Sequence, residues 1–112
     1  MEKVNLIESI PDIWDFWNKN GINTDKDISV MFTFYSAVDK ESSNLKNELE
    51  KKGYKVEKKV KRTMIIFKGY EMNAEKTRRW TKDELKETLL ELEIISKQNS
   101  TILEGYFAAD PK

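Results

Sequence analysis

Ile28-Ser29-Val30-Met31-Phe32-Thr33-Phe34-Tyr35-Ser36 is the stretch on which the fold turns. Side chains alternate with period two along a strand, so Ile28, Val30, Phe32 and Phe34 share one face and Ser29, Met31, Thr33 and Tyr35 the other. The first set is expected in a core and the second on a more open surface. Downstream, Asp39 is placed as the N-cap of a charged helix whose buried stripe is Leu45 and Leu49, with Gly53 as its left-handed terminator. Tyr54 to Val60 alternates like a half-exposed strand, and Thr63 to Tyr70 is denser and more central. The turn between them is expected within Lys59 to Arg62, and Glu71 to Arg79 is read as a polar connection. Thr81-Lys82-Asp83-Glu84 is a capping box that opens a second helix, with Trp80 and Leu85 as a hydrophobic staple. Leu85, Leu89, Leu92 and Ile94 or Ile95 form its apolar stripe, Asn99 or Ser100 ends it, and Ile102 to Ala109 is the last strand.

The resulting order, β-α-β-β-α-β from Ile28 to Ala109, is that of an α+β ferredoxin-like sandwich: a four-stranded antiparallel sheet with two helices on one face. Residues 28–109 are read as that domain, and residues 1–27 as an N-terminal helix and linker. In the latter, Ser9 and Asp12 resemble a capping box, Pro11 sits in the first turn, and Ile10, Ile13, Trp14 and Trp17 recur at helical spacing up to Gly21. So much aromatic bulk in one short helix must pack on something. The alternatives are the chain's own sheet and helices or a partner protein.

Composition narrows the function classes. A chain of 112 residues is one domain's worth, burying about 65% of its extended surface on folding. Its 20 Lys+Arg balance 20 Asp+Glu, so no global field draws it to nucleic acid or an anionic membrane, and either would need a local patch. The absence of His and Cys closes imidazole and thiol catalysis, disulfides and the ordinary zinc sites. No cofactor or metal is expected, since the four isolated glycines make no phosphate loop and the carboxylates fall mostly on helix surfaces among lysines. No apolar stretch approaches the ~18 residues of a membrane span and the N-terminus lacks a signal peptide's apolar run, so the chain is expected in the cytoplasm with no membrane partner.

Two candidate surfaces remain. One is the open face of the sheet, with Met31 and Tyr35, joined by Glu104 and Tyr106 if the register of the last strand agrees; it would meet a protein partner or a second copy in a homodimer. Glu104 draws notice because an acid is unfavoured inside a strand. The other is a basic cluster, Lys58, Lys59, Lys61 and Arg62, with Arg78 and Arg79 beside Trp80, which would bind RNA directly. Read as the third strand, Arg62-Thr63-Met64-Ile65-Ile66-Phe67-Lys68 lacks the Lys/Arg-Gly-aromatic-Gly/Ala-aromatic run by which this architecture reads RNA elsewhere.

Phe32-Thr33-Phe34-Tyr35 on the first strand, Gly53-Tyr54-Lys55-Val56 after the first helix, Trp80-Thr81 at the second and Glu104-Gly105-Tyr106 on the last strand resemble, in this order, the RraB family of protein regulators of ribonuclease E. The resemblance covers Ile28 to Ala109 and leaves the N-terminal helix outside. It implies a ferredoxin-like, non-enzymatic protein that binds a ribonuclease and alters its activity or assembly. An immunity-type inhibitor protein is a variant of that reading, and direct RNA binding is the alternative. The chain departs from the family's typically acidic character in having no net charge, and its aromatic helix could cover or extend the family's binding surface.

Overall fold

The structure, a computed structural model, describes residues 6–22, 24–62 and 68–109. Its elements run α1 (Ile10–Lys19), β1 (Asp27–Ser36), α2 (Asp39–Lys51), β2 (Lys55–Arg62), β3 (Lys68–Arg79), α3 (Lys82–Gln98) and β4 (Ile102–Ala109). The strands form one antiparallel sheet in the order β2-β3-β1-β4. Each βαβ unit therefore has a strand inserted between its parallel pair, which is the ferredoxin-like α+β arrangement expected from the element order.

The expected inward set of β1, Ile28, Val30, Phe32 and Phe34, is buried, together with Met72 and Ala74 of β3 and Val56 of β2. Leu45 and Leu49 of α2 and Leu85, Leu89, Leu92 and Ile95 of α3 close over them. The N-terminal helix joins this same layer: Trp17 packs edge-on to Tyr106 of β4 with ring centroids 6.2 Å apart, and Ile10 and Trp17 are buried in the common core. It runs beside α3, and among the described residues no helix packs on the opposite face of the sheet.

Four local readings are corrected. Glu71 to Arg79 is not a connection but most of β3, while β2 extends through Arg62 where the turn was expected. Tyr70, Met72 and Ala74 alternate toward the core, and Glu71, Asn73 and Glu75 toward solvent, so a strand with one solvated face reads as polar. Of the run expected as that strand, Lys68 to Tyr70 opens β3, and Thr63 to Phe67 lies outside the described residues. Ser9 holds the N-cap position of α1 as expected, but its side chain makes no capping hydrogen bond, since its hydroxyl donates to the Leu6 carbonyl at 2.6 Å. Asp39 is the first residue of α2 rather than its cap, since Val38 holds the N-cap and its N–H is taken by Ser36 Oγ at 3.1 Å. Thr81 caps α3 as expected, accepting the Glu84 N–H at 3.1 Å.

All three helices end in the same Schellman pairing, with N–H groups bonded back from Ile22 to Trp17, from Tyr54 to Leu49 and from Thr101 to Ser96. The left-handed residue is glycine in two of them, Gly21 and Gly53, and Ser100 at φ 53° in the third.

Candidate open-face binding site

The uncovered face is built from the residues of β1 that alternate outward, and its register is set by two antiparallel ladders. Met31 lies opposite Phe107 of β4 and Glu75 of β3; Thr33 lies opposite Gly105 and Asn73; Tyr35 lies opposite Ile102 and Glu71. β2 adds Lys55, Glu57 and Lys59 beyond β3. Thus half of the face, over β1 and β4, is apolar, and the other half is charged.

A β-bulge determines which residues of β4 belong there. Thr33 pairs with Gly105 but Phe34 with Leu103, so Glu104 is the extra residue and the alternation changes phase across it. Ile102 and Phe107 consequently both face outward, 59% and 50% exposed. Tyr106 is turned to the helix side, where its ring tilts against Phe32 at 6.3 Å and its hydroxyl lies 3.1 Å from Ser9 Oγ. Burial raises the Tyr106 pKa above the ordinary phenol value, partly offset by the Ser9 hydrogen bond. Met31 and Tyr35 therefore share the open face, Glu104 is exposed as the unpaired residue of the bulge, and Tyr106 lies on the other side.

Sequence reasoning missed Phe107 because it carried one alternation through the whole strand, and it left out Ile102 although that alternation puts it on one face with Glu104. The signal was present in Glu104-Gly105, an acid and a glycine in mid-strand, which is a common bulge signature. It also missed Gly69. A Cβ there would run into the Tyr35 ring, so the bare backbone of Gly69 is the seat over which that ring lies.

Polar groups on this face are fixed by a short chain of hydrogen bonds. Thr33 Oγ1 donates to Asn73 Oδ1 at 3.0 Å, and Asn73 Nδ2 donates to Glu71 Oε2 at 3.3 Å. An open depression lined by Met31, Lys55, Glu57, Asn73 and Glu75 adjoins it. Glu104 is two strands from Glu71 and Glu75, roughly 10 Å at the usual strand spacing. Among the described residues no group of three or more acids is placed to hold a metal ion. What the face offers is a contact surface with apolar side chains flanked by carboxylates.

The basic cluster is dispersed. Lys58 and Lys59 pair with Met72 and Glu71 near the β2–β3 hairpin end, whereas Arg78 and Arg79 pair with Ile28 and Asp27, at least six residues or roughly 20 Å further along β3. Lys58 points to the helix side, bonded to Asp39 and to Ser43 Oγ at 2.8 Å and set 4.9 Å over the Tyr70 ring. Arg78 pairs with Glu84 and lies 5.3 Å over Trp80, which is itself buried and presents no ring for a base to stack on. Lys61 and Arg62 occupy the end of β2, and their side chains lie outside what the structure describes.

Against protein-family models, residues 11–106 match RraB, described as regulator of ribonuclease activity B. The match starts inside α1 and so takes in the helix that the short motifs left out. No curated protein matches the chain. No described helix is long and apolar enough to cross a membrane.

Proposed function

The chain belongs to the RraB family, and from that premise we propose that it is a non-catalytic cytoplasmic regulator that binds a ribonuclease of the ribonuclease E type and changes its activity. The observation that carries the surface assignment is the uncovered apolar half of the sheet, where Met31, Tyr35, Ile102 and Phe107 stand together while all three helices pack on the other side. Clustered exposed apolar side chains on a small domain are costly to leave in water and mark an interaction surface. Aromatic and methionine side chains are those that interface cores favour.

The family's name speaks for a nuclease as partner, and the dispersal of the cations favours protein over RNA as what this chain touches first. The test is RNA cleavage by a purified ribonuclease E as the chain is titrated in, with Met31→Lys/Phe107→Lys as the altered face. A dose-dependent change in rate that the double variant loses supports the reading. An unchanged rate with both proteins, or cleavage by the chain alone, sinks it. Steeply salt-dependent binding of RNA by the isolated chain would replace it with the RNA-binding alternative.

A further inference from the structure

We propose that the outer edge of β4 pairs antiparallel with the same edge of a second copy of this chain, joining two four-stranded sheets into one about a two-fold axis at the Glu104–Gly105 step. The inference goes beyond the nuclease reading and does not depend on it. In the order β2-β3-β1-β4 the outer strands are β2 and β4, and among the described residues no backbone group bonds to the outer side of β4. The two edges differ in how they are guarded. β2 carries Lys55, Lys58, Lys59, Lys61 and Arg62, and lysines along an edge are a common defence against strand addition. β4 has neither lysine nor proline, holds the single charge Glu104, and displays the exposed side chains of Ile102 and Phe107.

A second copy is the occupant because the bulge makes this edge complementary to itself. Directly opposed residues of an antiparallel pair point to the same face, so a two-fold axis can oppose residues of a regular strand only when they lie an even number of positions apart. Ile102 and Phe107 are an odd number apart, yet both point to the open face, because the ladder to β1 skips Glu104 between them. By the same skip Leu103 and Tyr106 both point to the helix side. With the axis between Glu104 and Gly105, Ile102 of one copy stands opposite Phe107 of the other, and Leu103 opposite Tyr106. The backbone keeps the same phase: Ile102 and Phe107 pair with Tyr35 and Met31, an even number apart on β1, so their N–H and C=O groups point the same way. An unbulged strand from another protein would leave Glu104 with nothing opposite it, whereas a second copy brings the same extra residue to the same place.

The pairing also puts the exposed apolar side chains where they lose water. Phe107 has Met31 on one side and gains Ile102 of the other copy, beyond which lies Tyr35 of that copy. The apolar halves of the two open faces thus join in one band across the seam, and the charged halves lie outside it. Contacts between aromatic and branched side chains on opposed strands are among those that stabilise antiparallel pairs. Glu104 recurs beside the axis, and the two-fold sets both carboxylates on one face, where they repel each other. An interface of one short strand from each copy is small, so the dimer is reversible rather than permanent. It presents two open faces side by side.

The chain has no cysteine, so single replacements at these two exposed positions report the register. Ile102→Cys and Phe107→Cys chains, mixed and oxidised, are expected to cross-link to one another, since opposed residues have Cα atoms about 4.5–5.5 Å apart, inside the range a disulfide spans. Either variant alone should not, because the two copies of one position lie roughly 17 Å apart along the seam. Sedimentation of the unaltered chain from micromolar to millimolar concentration should pass from monomer to dimer. Phe107→Lys should weaken that association at least about tenfold, and Glu104→Gln should strengthen it several-fold. A chain that stays monomeric at millimolar concentration, single variants that cross-link as readily as their mixture, or an association indifferent to both replacements would overturn the proposal. None of these readouts contains a nuclease. Cross-linking in this register without any effect on ribonuclease E cleavage refutes the nuclease reading alone, and a chain that alters cleavage while monomeric at every concentration refutes the pairing alone.

Discussion

Two neighbouring aromatics on β4, Tyr106 and Phe107, should behave as opposites when each is cut to alanine. Tyr106 tilts against Phe32, meets Trp17 edge-on and reaches Ser9 through its hydroxyl, so it ties α1 to the sheet. Core Phe→Ala substitutions cost about 3–5 kcal/mol, and Tyr106 is only partly buried, which brings the packing loss to about 2–3 kcal/mol. The hydrogen bond adds about 1 kcal/mol. A total near 3 kcal/mol is a large share of the roughly 5–15 kcal/mol that holds such a domain together, and should lower the melting temperature by about 10 °C or more. Phe107 is 50% exposed on the open face, so its removal should cost within about 1 kcal/mol while weakening the partner contact. Urea titrations of both variants, with native-state hydrogen exchange on α1, make the comparison. Equal losses, or a greater loss for Phe107→Ala, would mean that the bulge does not reverse the strand and that the site is drawn on the wrong residues.

Three other outcomes follow from single features. Ser100→Gly should raise the urea midpoint, with unchanged slope and a gain of about 0.5–1 kcal/mol, because Ser100 terminates α3 at φ 53° where glycine carries no Cβ penalty. Stability should be intact below pH 10 and fall as the pH rises toward 12. Burial, helped by Glu91 and opposed by Arg78, pushes the Tyr54 phenol up to about 12, so the unfolded chain loses that proton first; the loss, on the order of 2 kcal/mol, is readable from urea midpoints against pH. Gly69→Ala should displace the Tyr35 ring from its seat, shifting its fluorescence or ring-proton resonances and reducing partner binding several-fold, whereas a melting temperature lowered by more than about 10 °C would show that Gly69 is chiefly a folding residue.

What could be read from the chain follows from how far each signal is local. The β1 alternation, the Leu45/Leu49 and Leu85/Leu89/Leu92 stripes, the Thr81 cap and the Gly53 terminator are each decided within a turn or two of chain, and the structure keeps all of them. β3 was hidden because a strand solvated on one side needs few apolar residues, and Tyr70, Met72 and Ala74 are diluted by the polar residues between them. The neighbouring run, Thr63 to Phe67, carries the denser apolar signal, and a continuous apolar run outweighs a diluted alternation in sequence. Asp39 and Ser9 show the limit of capping motifs: whether a side chain caps depends on the backbone angles of its own residue, which the preceding chain sets. The open face was half legible, since Met31 and Tyr35 follow from β1 alone, but its other half depends on a one-residue phase change in a strand on the far side of the fold.

The N-terminal helix gains its role from that same phase change. With β4 in unbroken alternation, Tyr106 would face outward and α1 would have no aromatic on the sheet to receive Trp17. The bulge sends Tyr106 inward beside Phe32, and the pair forms the platform on which Trp17 is buried. One extra residue, Glu104, therefore does two things at once: it docks α1 on the helix side and delivers Phe107 beside Met31 on the other. Deleting Glu104 removes only the unpaired residue and leaves every other β1–β4 pair consecutive on both strands, so Tyr106 should stay beside Phe32 and Phe107 beside Met31, whereas inserting one residue after Gly105 should turn both the other way. Deleting residues 1–27 should strip the core side of β4, at a cost in stability set by Trp17 and Ile10, yet leave the outward row of Met31, Thr33 and Tyr35 chemically unchanged. The helix the short motifs omit is thus a part of the core, on the side of the sheet opposite the proposed partner surface.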